Sequence, residues 1–258
     1  MPCDPTAGMM NMQMRSRSTR LLVAVVTGAA LLAGSLAAAP AGAASPANTA
    51  YVQSLYADLL DRTDTTADQA GTTYWANRLE QPGMTRAIVV ENIQRGSTEY
   101  YGRIVDLSYA LYLDRTAEPA GRSFYVERWR DRRLTLEAVA IALGQSSEYY
   151  NRVGATPTAF VDAVFFDTLG RGPSAGDRAY YVGVVATQGR GRVVSILVKS
   201  REKRVQTVND QYGTFLGRAP TTTERDTAVA QLGSGLRRED FDARLVASAE
   251  YYANNSAA

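Results

Sequence analysis

Four arginines recur in this sequence, each followed at a similar distance by a glutamate. The pairs are Arg62 and Glu99, Arg115 and Glu148, Arg171 and Glu202, and Arg218 and Glu250. A guanidinium can clamp a carboxylate through two parallel hydrogen bonds, or it can hold a bound anion. The repetition decides between these. A chemical centre is needed once, whereas a structural joint is needed in every copy. A serine stands two residues before each glutamate, at Ser97, Ser146, Ser200 and Ser248. Serine caps a helix start, and an acid in the first turn suits the helix dipole. Each arginine, at the end of the preceding helix, suits the opposite pole. The spacing therefore predicts four Arg–Glu pairs that lock one helix to the start of another.

Other residues could touch a partner. The chain has 15 tyrosines, which bury a ring while keeping a hydroxyl hydrogen-bonded or wet. Trp75 and Trp129 are the strongest candidate anchors for a protein or glycan, though packing inside the fold competes for both. Arg190, Arg192, Lys199, Arg201, Lys203 and Arg204 form a basic cluster opposed by Glu202 alone. It offers phosphate-type contacts to an anionic surface polymer; the alternative is a solvated helix face. A second cluster, Arg128, Arg130, Arg132 and Arg133, is diluted by Glu127 and Asp131. The acids from Asp61 to Asp68 do not follow the spacing of a calcium loop, and Asp68 reads as a helix cap. Scattered carboxylates leave room for a glycan hydrolase, but no pair is marked.

Histidine is absent, and the one cysteine is Cys3. Downstream of it there is neither a disulfide nor a thiol or imidazole nucleophile system, and zinc, copper and haem lose their usual ligands. No metal, cofactor or enzymatic activity is expected.

The elements that position these groups are helices. Tyr51–Arg62 places Val52, Leu55, Tyr56, Leu59 and Leu60 on one amphipathic stripe. The phrase returns as DLSYALYLDR, FVDAVFFDTLGR and VNDQYGTFLGR, ending on the other three arginines. A polar loop bearing Gly or Pro follows each. Then comes a second helix with an aromatic pair in three copies: Tyr74-Trp75, Phe124-Tyr125 and Tyr180-Tyr181. Ala228-Val229 takes that place in the fourth. A third helix leads to the S-x-E phrase; VVSILV could pass for a strand by composition, but its place in the repeat makes it helical. The expected fold is all-α: a tandem array of four repeats of about 50 residues and three helices each. The repeats run over 51–101, 102–150, 156–204 and 205–252, after a short disordered leader at 44–50.

Residues 1–43 read as a secretory signal peptide, with Arg15, Arg17 and Arg20 before an uncharged run from Leu21 to Ala39 and an A-x-A site at Ala41–Ala43. The product is expected outside the cell, released or surface-associated, with no membrane span. The whole chain carries a net charge of +2, and residues 44–258 balance at zero, so no general attraction to nucleic acid is expected.

These phrases together resemble the bacterial domain of unknown function 4214. The likeness is carried by Leu55-Tyr56, Leu59-Leu60, Arg62, Gly71, Tyr74-Trp75 and Ser97 to Tyr100 in the first copy. Leu111-Tyr112, Arg115, Gly121 and Ser146 to Tyr149 carry it in the second. The pattern is also distantly similar to phycobilisome linker domains. The resemblance implies a helical, secreted or surface-associated protein without an assigned reaction, and a scaffolding role. The expected function is a non-enzymatic interaction or scaffold protein that binds a protein or a surface polymer. A carboxylate-dependent wall hydrolase and a self-associating surface protein are the alternatives.

Overall fold

The computed structural model describes residues 44–62 and 68–256. The signal-peptide reading lies outside them. Within them are fourteen helices and no strand. None of these helices is long and apolar enough to cross a membrane. The first repeat holds α1 (Pro46–Leu60), α2 (Gln69–Leu79) and α3 (Arg86–Gly96). The second holds α4 (Glu99–Leu113), α5 (Pro119–Arg130), α6 (Leu136–Gly144) and the short α7 (Ser147–Arg152). The third is α8 (Pro157–Leu169), α9 (Ala175–Gln188) and α10 (Arg190–Val198). The fourth is α11 (Arg201–Leu216), α12 (Thr222–Gly233), α13 (Arg238–Val246) and the short α14 (Ala249–Asn255). The VVSILV stretch lies in α10.

The long helix of each repeat, α1, α4, α8 and α11, keeps one register when counted back from its arginine. Ten residues before it stand Val52, Val105, Val161 and Val208, all fully buried. Six before it stand Tyr56, Tyr109, Phe165 and Tyr212, and two before it Leu60, Leu113, Leu169 and Leu216, all buried. Steps of four place these positions on one face. The residue just before the arginine ends the helix in the left-handed region: Asp61 (φ 61°), Asp114 (φ 52°), Gly170 (φ 69°) and Gly217 (φ 67°). Glycine accepts this conformation without a Cβ clash, and aspartate tolerates it better than most residues. This register corrects the match of Leu111-Tyr112 to Leu55-Tyr56. Ser108-Tyr109 are the true equivalents, and Leu111 is exposed. In the second helices Thr227-Ala228, not Ala228-Val229, hold the place of the aromatic pair.

The serine of each S-x-E phrase opens a new helix. Ser146, Ser200 and Ser248 accept the backbone N–H three residues on, and Ser97 Oγ accepts the Glu99 N–H at 2.9 Å. After Ser97 and Ser200 the new helix runs on as the long helix of the next repeat. The repeat edges expected at 101/102 and 204/205 therefore fall inside the continuous helices α4 and α11. After Ser146 it stops at Arg152, because Gly154 (φ 107°) and Ala155 (φ 53°) break it before Thr156 caps α8 and Pro157 starts it. The expected leader is also corrected. Residues 46–50 form the first turns of α1, capped by Ser45 Oγ on the Asn48 N–H, with Pro46 at the start.

The array is not open. α14 packs on α1 and α13 on α3, so the fourth repeat closes on the first, while α10 packs on α6. The two seams repeat each other's contacts. Tyr149 donates to Asp167 Oδ2 at 2.7 Å, and Tyr251 donates to Asp58 Oδ2 at 2.7 Å. Phe160 packs against Tyr149 and Tyr150, as Tyr51 does against Tyr251 and Tyr252. Arg190 lies over Tyr150 and Arg86 over Tyr252, 4.6 and 5.0 Å from the ring centres. The molecule is therefore two matching halves, 44–152 and 157–255, closed face to face.

Candidate functional site

The structure brings together all four Arg–Glu pairs. Arg62 donates from Nε and Nη2 to the two oxygens of Glu99. Arg115 holds Glu148 at 2.5 and 3.0 Å, Arg171 holds Glu202 at 2.6 and 2.7 Å, and Arg218 holds Glu250 at 2.5 and 2.7 Å. Each is the two-pronged geometry of a guanidinium on a carboxylate. Two further contacts in each repeat were not read from the sequence. One is stacking: each guanidinium lies 5.1–5.7 Å from the centre of the ring six residues earlier, on Tyr56, Tyr109, Phe165 and Tyr212. The signal was present, since an aromatic stands at that offset in every copy.

The other contact is a second carboxylate at the start of the second helix. Arg62 reaches Asp68, Arg115 reaches Glu118 at 2.6 Å, and Arg218 reaches Glu224 at 2.8 and 2.9 Å. Asp177 stands 4.0 Å from Arg171. Asp68 therefore caps no N–H with its side chain; it serves the clamp. In the first two repeats the acid is the cap residue itself. In the last two, Ser174 and Thr221 cap, and Asp177 and Glu224 complete capping boxes. Hydrogen bonds from the arginine hold Glu118, Glu148, Glu202 and Glu250 below the usual carboxylate range. Arg218 and the Thr221 backbone pull Glu224 down to about 2. Each arginine thus spends its donors on the protein's own acids, which leaves little for a bound anion.

The candidate interaction residues separate. Trp129 is fully buried between Tyr100 and Tyr101, so it is a core side chain and cannot anchor a partner. An indole at the end of α5 faces inward because Val126 and Trp129 share the only buried stripe of that helix. Trp75 is half-buried, packed on the core with Tyr74 at its edge. The basic cluster is divided by the fold. Arg190 is stacked on Tyr150, and Arg204 folds back on the Lys199 carbonyl at 2.6 Å and rests against Gly233. Lys203 is half-buried, and desolvation pushes its pKa down. Arg192, Lys199 and Arg201 stay exposed, with Asp226 3.5 Å from Arg201. In the other cluster Arg132 is committed to Asp240, at 2.7 and 2.9 Å.

Two sets of residues were missed. The first is a set of exposed rings at one position of the repeat. Tyr74, Phe124 and Tyr180 are each the sixth residue of their helix, in α2, α5 and α9, and Tyr180 is 62% exposed. The inner member of each pair is held by the core, and the outer member projects. The second is a buried polar set at the seam between the first and fourth repeats. Arg238 donates to Asp242 at 2.7 Å, and Tyr100 donates to the other oxygen of Asp242 at 2.8 Å. Gln94 donates to the Glu239 carbonyl at 3.0 Å, and Arg237 pairs with the Glu239 side chain. Burial pushes Asp242 and Tyr100 upward in pKa. No group of histidine, cysteine or acids able to hold a metal stands among the described residues.

No curated protein matches the chain. A match to light-harvesting linker domains does not accompany the family result either. The family model described as "Domain of unknown function (DUF4214)" matches residues 29–104, a stretch that contains the first clamp entire, from the α1 stripe through Arg62 to Glu99 and the Tyr100-Tyr101 pair. Over residues 29–104 the chain is similar to this family of domains.

Proposed function

We propose that the protein is a secreted, non-enzymatic interaction or scaffold protein that holds another protein or a surface polymer against its repeats. The observation that carries this reading is that Tyr74, Phe124 and Tyr180 are each left exposed at one helical position of their repeats while their neighbours pack inward. An exposed aromatic at a repeated interval is a costly use of apolar surface, and such rings dominate binding energetics where they dock. Arg192, Lys199 and Arg201 would favour an anionic polymer over a neutral one.

The chemistry of the carboxylates supports the non-enzymatic reading over a wall hydrolase. Glycoside hydrolysis needs one carboxyl protonated near neutral pH beside one ionised. The acids that lie together, Glu118 with Glu148 and Glu224 with Glu250, share one arginine and are all held low. Of the acids that are raised, Asp58, Asp167 and Asp242 accept from tyrosine hydroxyls, and Asp210 has Lys203 and Arg238, not a second carboxylate, as its charged neighbours. Capture of wall fractions and secreted proteins on immobilised protein tests the proposal. A chain with Tyr74→Ala, Phe124→Ala and Tyr180→Ala should keep its helical signal and lose the captured species. Capture unchanged by all three substitutions contradicts this reading.

A further inference from the structure

The two halves meet through equivalent elements used twice. α1 and α3 of the first half receive α14 and α13 of the second; α8 and α10 of the second receive α7 and α6 of the first. One covalent link joins them, Val153–Thr156, and it is the place where a helix that elsewhere runs on is broken. Its two counterparts, α4 and α11, show what the same phrase does when no break intervenes. Among the described residues, α1 and α3 are tied to α14 and α13 at the other seam through side chains: Tyr252 donates to Asn48 Oδ1 at 3.0 Å, and Arg86 Nε donates to the Ala247 carbonyl at 3.0 Å. A face that accepts its counterpart without a covalent bond at one seam can accept it from another chain.

We propose that a second copy of this chain is a partner of the protein, by reciprocal exchange of halves about the hinge at 153–156. Straightening of the hinge would carry 157–255 away from its own 44–152 and onto that of the second copy. All contacts across both seams would re-form between chains, and only the hinge would differ. This inference does not rest on what the exposed aromatic rings bind.

The seams also select the pairing. The seam between first and fourth repeats carries Gln94, Tyr100 and Arg132 on one side and Glu239, Asp240 and Asp242 on the other. At the other seam, the positions equivalent to Gln94, Asp240 and Asp242 relative to the serine are Leu197, Ala138 and Ala140. Two first halves brought together would set the Arg132 guanidinium against Ala138 and the Tyr100 hydroxyl against Ala140, without their carboxylate acceptors. Buried polar groups without partners are unfavourable, so such sets fix which faces meet. A first half therefore takes a second half, and two chains close into a dimer.

Two arms test this on the full chain. In the first, Gly154→Ala, Thr156→Ala and Pro157→Ala remove the break between α7 and α8. Light scattering after size exclusion should show twice the chain mass with helical signal retained. A folded monomer overturns the proposal. In the second, Arg132→Asp and Asp240→Arg are made in separate, differently tagged chains with the hinge unchanged. Each variant alone closes on a like-charge pair at this seam, whereas exchange of halves between the two variants sets opposite charges against each other at both copies of the seam. Refolding the two together should give mixed dimers in at least tenfold excess over like dimers. A mixture that stays monomeric, or that pairs without regard to tag, overturns it, including where the hinge variant of the first arm does not fold.

Discussion

At the scale of single residues, the recurring side chains are joined to one another and not held ready for a ligand. Asp58 shows how. It is largely buried on α1, its pKa is raised by burial, and the Tyr251 hydroxyl is its donor. Tyr251→Phe leaves that carboxylate short of a partner, and should cost about 1–3 kcal/mol at neutral pH. Because the folded-state pKa of Asp58 lies above its free value, protonation favours the fold as pH falls. The deficit of the variant should shrink between pH 7 and pH 5, since a protonated Asp58 no longer needs the donor. Chemical denaturation at the two pH values checks both statements, and a deficit that grows on acidification contradicts them.

Glu118, Glu148, Glu202, Glu224 and Glu250 of the clamps titrate with the opposite sign. Their folded pKa values lie below the free value of 4.5, and that of Glu224 falls to about 2. Their contribution is complete above about pH 4.5 and should disappear as pH falls from there toward 2. Thermal melts should hold nearly level from neutral pH down to that window and then drop. A steady loss beginning at pH 6–7 would contradict this assignment.

At the scale of elements, the repeat decides where each helix starts, stops and turns its face. Gly121 on α5 lies under the Tyr109 hydroxyl; a Cβ there would stand 2.6 Å from that oxygen and 2.6 Å from Glu118 Oε1. Gly71 on α2 meets the Tyr56 hydroxyl at the same 2.6 Å. Gly183 on α9 faces open space. The two glycines of α5 and α9 should therefore respond in opposite directions to the same change. Gly121→Ala should destabilise by displacing the tyrosine, whereas Gly183→Ala should stabilise by about 0.5–1 kcal/mol. Paired denaturation curves check this, and equal effects would contradict the packing.

Much of this scale was legible from residue order. Leu60, Leu113, Leu169 and Leu216 precede their arginines by one interval, and the serine caps follow from S-x-E. The three-residue misplacement of Leu111 was not avoidable from apolar pattern alone, because the α4 stripe has leucine on both faces: Leu113 inside, Leu107 and Leu111 outside. The break after α7 was hidden for a different reason. The phrase that opens it also opens α4 and α11, and only Gly154 and Pro157 downstream tell them apart.

At the scale of the whole molecule, closure changes what the repeats are for. An open array would offer a long concave surface, whereas this chain folds its third helices into seams between two halves. That was not legible, because closure depends on contacts between residues nearly two hundred positions apart, such as Tyr51 with Val246 and Asp58 with Tyr251. Asp58 and Asp167 were the available trace. They stand four before the arginine in the first and third copies only, the two copies that receive a tyrosine from a short closing helix, α14 or α7. The candidate interaction set was half legible for a related reason: pattern finds aromatic residues, but the fold decides that Trp129 is interior and Tyr180 is not.

The distance between the start of α1 and α14 tests the closed arrangement most directly. Cys3 is the only cysteine, so Cys3→Ser with Pro46→Cys and Ala253→Cys permits two spin labels on exposed sites at the start of α1 and in α14. Pulsed dipolar spectroscopy on the dilute full chain should give one narrow, short distance, because Asn48 and Tyr252 meet through a 3.0 Å hydrogen bond. An open stack of helical layers, each about 10 Å from the next, would separate the labels by about 30 Å or more, and that result would contradict the closure of the fourth repeat on the first.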